Sequence, residues 1–118
     1  MNLLEETKLN LEDNEKSIED VKWVGSKDGS LAIDWGEFEK ISNFNYDDGY
    51  GSPEIPLDFV IVGKDWWLER YEYDGAESWE FKQLPLLHPN ARYFSKIKPQ
   101  NYHPYNLLEA SNTEAKNE

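Results

Sequence analysis

Four glutamates in the middle of the chain have the spacing that acid–base chemistry on a sheet requires. Glu69 and Glu72 lie in one β-prone run, and Glu77 and Glu80 lie in the next, so carboxylates would meet on neighbouring strands. Paired carboxyl groups perform glycoside hydrolysis, one as acid and the other as base or nucleophile. The chain has 24 acidic residues, however, and such pairs arise by chance at that density. The pairs alone do not indicate a glycosidase.

Other catalytic groups are scarce. The chain has no cysteine, which excludes disulfides, thiol nucleophiles and thiolate metal sites. Both histidines, His88 and His103, precede prolines in an irregular segment, where no element would hold an imidazole beside a nucleophile. The sequence also has neither a glycine-rich phosphate loop nor a serine in a nucleophile elbow. We therefore predict that the protein is not an enzyme and uses no cofactor.

Two acidic turns resemble cation sites at first sight. If Gly29 were the sixth residue of a calcium loop, the first and twelfth would be Val24 and Trp35, which cannot ligate calcium. Asp47 and Asp48 are adjacent carboxylates, but nothing else in the sequence supplies a ligand set at a known spacing. Ordinary acidic turns are the better interpretation, and we predict no metal site.

Charge divides the chain sharply. Residues 1–80 contain 21 acidic and seven basic residues, whereas residues 81–108 contain four basic residues and no acidic one, within a net charge of −12. The acidic part would be repelled by DNA, RNA and anionic lipid, so we expect no direct nucleic-acid or membrane binding there. Because no run of about 18 apolar residues and no signal-peptide pattern is present, the sequence predicts a cytoplasmic protein.

The hydrophobic pattern of residues 17–84 predicts an α+β core domain that begins with a hairpin and a short helix. Two β-prone runs, residues 21–24 and 31–33, flank the turn signal Asp28-Gly29. Asp34 then has the position of a helix N-cap. Trp35, Phe38 and Ile41 follow it at helical spacing, and we expect all three to face the core.

The clearest signal is an antiparallel meander of three runs, residues 57–62, 66–73 and 78–82. The first run is apolar on both alternations, which predicts a central strand covered on one side by the helix. In the second run Trp66 and Leu68 would point to one face and Trp67 to the other. One of the two adjacent tryptophans should therefore be partly exposed.

The flanking segments carry weaker signals. Residues 1–16 are interpreted as a marginal helix or a frayed end, and residues 43–56 as an ordered loop. Residues 85–108 contain four prolines and are predicted to form a basic, extended arm packed on the core. Residues 109–118 are predicted to be a disordered tail.

Two stretches carry a family resemblance. They are DVKWVGSKDG, followed by WxEF, and DWWLERxEYDGxExWEFK. Residues 18–84, which contain them, resemble a family of small uncharacterised proteins of Gram-positive bacteria and their phages. The resemblance implies a mobile-element setting and supplies neither an activity nor functional residues.

Acidic and aromatic residues alternate along the meander. Aromatic side chains anchor interfaces, and acidic ones steer a basic partner, so we predict a partner-binding surface there and on the preceding loop. The glutamates of this surface are expected to be solvated. Its predicted residues are Asp47, Asp48, Tyr50, Trp66, Trp67, Glu69, Glu72, Asp74 and Glu77.

The leading functional prediction is a non-enzymatic acidic protein that blocks a basic protein surface. Its partner would be a basic protein such as a nucleic-acid-processing enzyme, inhibited by nucleic-acid mimicry in a phage or mobile-element setting. One alternative is an immunity protein that neutralises a toxin, and another is a housekeeping domain that binds a small molecule or carbohydrate. The predicted oligomeric state is a monomer or a weak homodimer.

Overall fold

The computed structural model describes residues 1–49, 51–99, 108 and 112. The chain divides into two compact units, Met1–Pro85 and Leu86–Glu118. The first unit contains all the named helices and strands. They are α1 (Leu3–Asp13), a 3₁₀ turn (Ile18–Asp20), β1 (Trp23–Ser26), β2 (Ala32–Ile33), α2 (Trp35–Ser42), β3 (Phe59–Val62), β4 (Trp66–Tyr73) and β5 (Ala76–Gln83).

The strands form one antiparallel sheet in the order β2-β1-β3-β4-β5, which confirms the predicted α+β class. β3 is the central strand, as its apolar pattern predicts. Its partner on one side is β1, with Trp23 opposite Val62 and Val24 opposite Ile61. The predicted hairpin and the predicted meander are therefore joined edge to edge in a single five-stranded sheet.

Two hairpin turns follow from local sequence. Gly29, between β1 and β2, has a φ of 77°, and Asp74 and Gly75, between β4 and β5, have φ values of 52° and 88°. Aspartate and glycine tolerate this left-handed region, and at Asp74-Gly75 two such residues in succession match the right-handed twist of the strands. In the β1–β2 turn Gly29 alone takes this conformation.

The two helices pack on one face of the sheet, which we call the helix face. Phe38 of α2 lies 5.8 Å from Phe59 of β3, ring centre to ring centre, and Thr7 of α1 accepts a hydrogen bond from Trp79 of β5. The even-numbered residues of β4 point to this face. The opposite face, which we call the open face, carries Trp67, Glu69, Tyr71 and Tyr73 of β4.

The first residues of the chain form a packed helix rather than a frayed end. Asn2 caps α1 by accepting a hydrogen bond from the Glu5 backbone N–H. Leu3, Leu4 and Leu11 are buried in the core. Most of the stability of a short helix comes from packing of its buried face. The burial of these leucines therefore explains why a weak leucine pattern is enough to form a stable helix.

The core-facing side of α2 differs from the prediction at one position. Phe38 is buried and Trp35 is half-buried, as expected, but Ile41 is 64% exposed and Ser42 is buried in its place. At about 100° per residue, Ile41 lies about 120° around the helix from Trp35, whereas Ser42 lies within about 20° of it. The expectation for Ile41 was wrong because its position lies outside the buried arc.

The second unit is described only in part. Its residues 86–99 contain neither a helix nor a strand, and a turn at residues 88–91 is closed by a hydrogen bond from Ala91 N–H to the His88 carbonyl. The Asn112 side chain contacts backbone atoms of Ser95, Lys96 and Leu108. Packing of the arm on the core stays a prediction, and the tail lies outside the described residues apart from Asn112.

Candidate protein-binding surface

A buried ion cluster lies between the sheet, α1 and the loop after α2. Arg70 of β4 donates to a carboxylate oxygen of Glu77 at 2.9 Å and to the Tyr46 hydroxyl at 3.0 Å, and it lies 3.5 Å from Glu6. The Tyr46 hydroxyl in turn donates to Glu6 at 2.6 Å. The Arg70 guanidinium also lies over the Trp79 ring, 4.7 Å from its centre. We call Glu6, Tyr46, Arg70 and Glu77 the buried ion cluster.

The protonation states of Arg70 and Tyr46 are set by burial and by their hydrogen bonds. Burial alone lowers the pKa of Arg70, but the hydrogen bond with Tyr46, the charge of Glu6 and the contact with Glu77 outweigh it and raise the pKa above its ordinary value. Burial and the hydrogen bond to Glu6 raise the pKa of Tyr46 well above 10. Arg70 is therefore charged and Tyr46 neutral throughout the physiological range.

The same cluster holds an acidic loop against the end of the sheet. One carboxylate oxygen of Glu77 accepts the Glu54 backbone N–H at 2.7 Å, and the other accepts the Ile55 backbone N–H at 3.2 Å. The Glu77 backbone N–H donates to the Asp48 carbonyl at 3.0 Å. Glu77 thus contacts this loop at two places, at Asp48 and at Glu54 and Ile55.

The loop and the β4–β5 turn together form a group of carboxylates that we call the acidic end. Glu72 lies opposite Glu77 in the sheet, and Asp48 flanks Glu77 on its other side, so the three are neighbours across one edge. Asp74 lies in the turn beyond Glu72. The acidic end comprises Asp47, Asp48, Glu54, Glu72 and Asp74.

Most of these carboxylates are directed by local backbone. An Asp47 oxygen accepts the Gly49 N–H, a Glu72 oxygen accepts the Gly75 N–H, and a Glu54 oxygen accepts the Asp47 N–H. Apart from Asp48, which is half-buried, the residues of the acidic end are exposed. These hydrogen bonds orient the charges while leaving lone pairs for a partner.

Two predicted partner-binding residues are buried instead. Trp66 is 3% exposed, stacks on Phe81 and lies beneath Lys16, and a side chain at Gly63 would collide with its ring. Glu77 is 5% exposed and paired with Arg70. The expectation that these two residues meet a partner was wrong, because both point to the helix face. Glu77 instead holds the loop that carries the exposed carboxylates.

The remaining predicted residues fall into two groups. Asp47, Asp48, Glu72 and Asp74 belong to the acidic end, whereas Trp67 and Glu69 are half-buried on the open face. The adjacent tryptophans thus divide as strand alternation predicts, with Trp67 as the accessible one. Glu69 is partly covered rather than freely solvated. Tyr50 lies outside the described residues.

The open face also contains candidate residues that were not predicted from the sequence. Trp23 and Lys27, together with Val60, Val62 and Trp67, line a cleft of about 250 Å³. We call it the tryptophan cleft. Alternation within β1 could have placed Trp23 on the face opposite Val24, but its approach to Trp67 depends on the pairing of β1 with β3, which no local signal reveals.

The described residues contain neither a metal-binding cluster nor a membrane-spanning helix. No group of three or more histidine, aspartate or glutamate side chains in residues 1–49 and 51–99 is placed to hold a metal ion. Within the same part of the chain, no helix has the length and apolar character needed to cross a bilayer.

Comparison of the chain with protein-family models, with curated proteins and with solved structures gives no significant match.

Proposed function

We propose that this is a non-enzymatic acidic protein whose acidic end binds and blocks a basic surface on another protein. The observation that supports the proposal is the anchoring of the loop by the buried ion cluster. Glu77 holds the loop that contains Asp47 and Asp48 beside Glu72, so several carboxylates are held at neighbouring positions by the hydrogen bonds of the chain itself.

Preorganised charge favours binding in two ways. Carboxylates already in place lose little conformational freedom on association, and the net charge of −12 steers a basic partner toward the molecule. Tyr71 and Tyr73 are exposed on the open face near the end of β4, and Tyr73 is 70% accessible. Exposed tyrosines at the end of the sheet that carries the acidic end supply the apolar contact area that anchors an interface.

Carboxylates spaced along a strand end and a loop present repeated negative charge, as a phosphate backbone does. This supports the more specific proposal of nucleic-acid mimicry, in which the partner is a nucleic-acid-processing enzyme of a phage or its host. A mimic occupies the nucleic-acid site, so DNA must compete with it. That requirement separates mimicry from other modes of binding a basic protein.

The test is capture of partners from a bacterial lysate with the wild-type protein and two matched variants. The first variant, Asp48→Lys, Glu72→Lys and Asp74→Asn, changes the charge of the acidic end by +5. Asparagine is chosen for position 74 because it accepts the left-handed backbone there. The control, Glu12→Lys, Asp13→Lys and Glu19→Gln, makes the same change in charge at exposed positions near the end of α1.

We expect a basic protein to be captured by the wild type and the control and lost by the acidic-end variant. Equal capture by all three would contradict the proposed binding surface. Elution of the captured protein with duplex DNA, but not with an equal concentration of neutral polymer, is expected for a mimic. A partner that is a secreted toxin without a nucleic-acid site would instead support the immunity-protein alternative.

A further inference from the structure

The tryptophan cleft is built by three neighbouring strands. Trp23 of β1, Val62 of β3 and Trp67 of β4 are partners in register, so their side chains project from the open face in one row. With strands about 4.8 Å apart, the two tryptophan backbones are separated by about 10 Å, which leaves room for one flat group between the rings. Val60 and Val62 form the apolar floor.

A carboxylate lies at one end of this cleft. Glu69 follows Trp67 on the same face, and its two oxygens are engaged differently. One accepts the Trp67 indole N–H at 2.7 Å, and the other lies 3.5 Å from the Lys27 ammonium group. The hydrogen bond from Trp67, together with the charges of Lys27 and Lys82, lowers the pKa of Glu69, so this carboxylate is ionised at neutral pH.

The cation that now faces Glu69 is weakly held. The Lys27 side chain is 62% exposed, and an exposed ion pair of this kind contributes less than about 1 kcal/mol. Lys27 also lines the cleft, so its ammonium group reaches the carboxylate from the cleft side. A cation with better geometry could therefore take its place at Glu69.

We infer that the tryptophan cleft binds the guanidinium group of an arginine on the basic partner. This inference rests on the proposed function and names the anchor residue of the partner. A guanidinium is planar, stacks on aromatic rings and donates two parallel hydrogen bonds to a carboxylate. In the cleft it lies between Trp23 and Trp67, donates to Glu69 and displaces Lys27. Lysine fits less well because its ammonium group is compact and strongly hydrated.

The first test is an NMR titration of the tryptophan indole N–H signals with three blocked tripeptides. The probes are acetyl-Gly-Arg-Gly-amide, its lysine counterpart and its citrulline counterpart, which keeps the shape of arginine without the charge. Trp23→Leu and Trp67→Leu variants assign the two cleft signals. We expect both to shift with the arginine peptide, with affinity about three- to fivefold above that for lysine and weakest for citrulline.

Two variants of the cleft give opposite expected changes. Lys27→Met removes the competing cation and keeps the stem, so arginine affinity should rise about two- to fivefold. Glu69→Gln keeps an acceptor for the Trp67 indole but loses the charge, so affinity should fall by a similar factor. The control is Glu37→Gln, which alters a comparable exposed pair with Lys40 on α2 and should change nothing.

Several results would overturn the inference. These are an unchanged Trp67 signal, equal binding of the arginine and citrulline peptides, or a lower affinity after Lys27→Met. Shifts at Trp23 and Trp67 with neutral oligosaccharides instead of arginine would identify a sugar-stacking platform. If Glu69→Gln leaves capture of the basic partner intact while the acidic-end variant loses it, the proposed function stands and the arginine anchor is wrong. If the arginine peptide binds but no basic partner is captured, the arginine site stands and the proposed function is wrong.

Discussion

The two faces of β4 use the same kinds of side chain for opposite purposes. On the helix face, Arg70 lies between carboxylates and against a tryptophan, with its side chain only 1% exposed. On the open face, Lys27 and Glu69 meet beside Trp67 with the lysine 62% exposed. The arrangement of charge and indole is similar on the two faces, but the exposure to solvent differs. Burial makes the first group structural, and exposure leaves the second exchangeable.

This comparison predicts different costs for the same substitution on the two faces. Arg70→Met leaves Glu6 and Glu77 buried without a counter-charge and should reduce the free energy of unfolding by about 3–5 kcal/mol. Lys27→Met removes an exposed pair and should cost less than about 1 kcal/mol. Urea denaturation of both variants provides the measurement. Similar losses of unfolding free energy in the two variants would mean that the buried ion cluster does not stabilise the fold.

The adjacent residues Trp66 and Trp67 lie on opposite faces of β4 and should therefore differ in their contribution to stability. Trp66→Ala would leave a cavity beside Phe81 and Gly63 and should cost about 3–5 kcal/mol. Trp67→Ala removes a half-buried ring from the open face and should cost about 1 kcal/mol. The same urea measurement decides the point. A larger loss from Trp67 would show that the open face contributes to the core.

A smaller, pH-dependent effect is expected in the β1–β2 turn. Hydrogen bonds from the Ser30 backbone and the Ser26 and Ser30 hydroxyls lower the pKa of Asp28 from 3.8 to about 2. A carboxylate whose pKa is lowered by folding stabilises the fold at pH values above its pKa in the unfolded chain. This stabilisation is lost as the pH falls from about 4 to about 2. In urea unfolding, the difference in unfolding free energy between the wild type and Asp28→Asn should therefore shrink as the pH falls through this range. A constant difference would contradict the role of the ionised carboxylate.

Local chemistry explains which parts of the fold were predictable from the sequence. The Asp28-Gly29 and Asp74-Gly75 turns each specify a hairpin within a few residues, and alternation in β4 separates Trp66 from Trp67. The pairing of β1 with β3 joins residues almost 40 positions apart, and no turn chemistry specifies it. The sequence therefore predicts a hairpin and a three-stranded meander, but not their union in one five-stranded sheet.

The candidate site was less predictable because burial of a charge depends on distant partners. Arg70 follows Trp66 and Leu68 on one face, which was the available signal that it points inward. Its partners Glu6 and Tyr46 are 64 and 24 residues away, and neither is marked by spacing or motif. Without them, Glu77 looked like one more solvated acid. The acidic loop was recognised, but not the residue that fixes it.

Binding through the acidic end determines how fast the captured basic partner associates with this protein, and how strongly salt slows that association. Between ionic strengths of about 0.05 and 0.3 M the Debye length falls from roughly 14 to 6 Å, so the wild-type association rate constant should fall about tenfold or more. The control variant with the same +5 change near the end of α1 should keep most of that salt dependence. The acidic-end variant should lose most of it, while its unfolding free energy stays within about 0.5 kcal/mol of the wild type. An acidic-end variant that folds normally and associates as fast as the wild type, with the same salt dependence, would contradict binding through the acidic end.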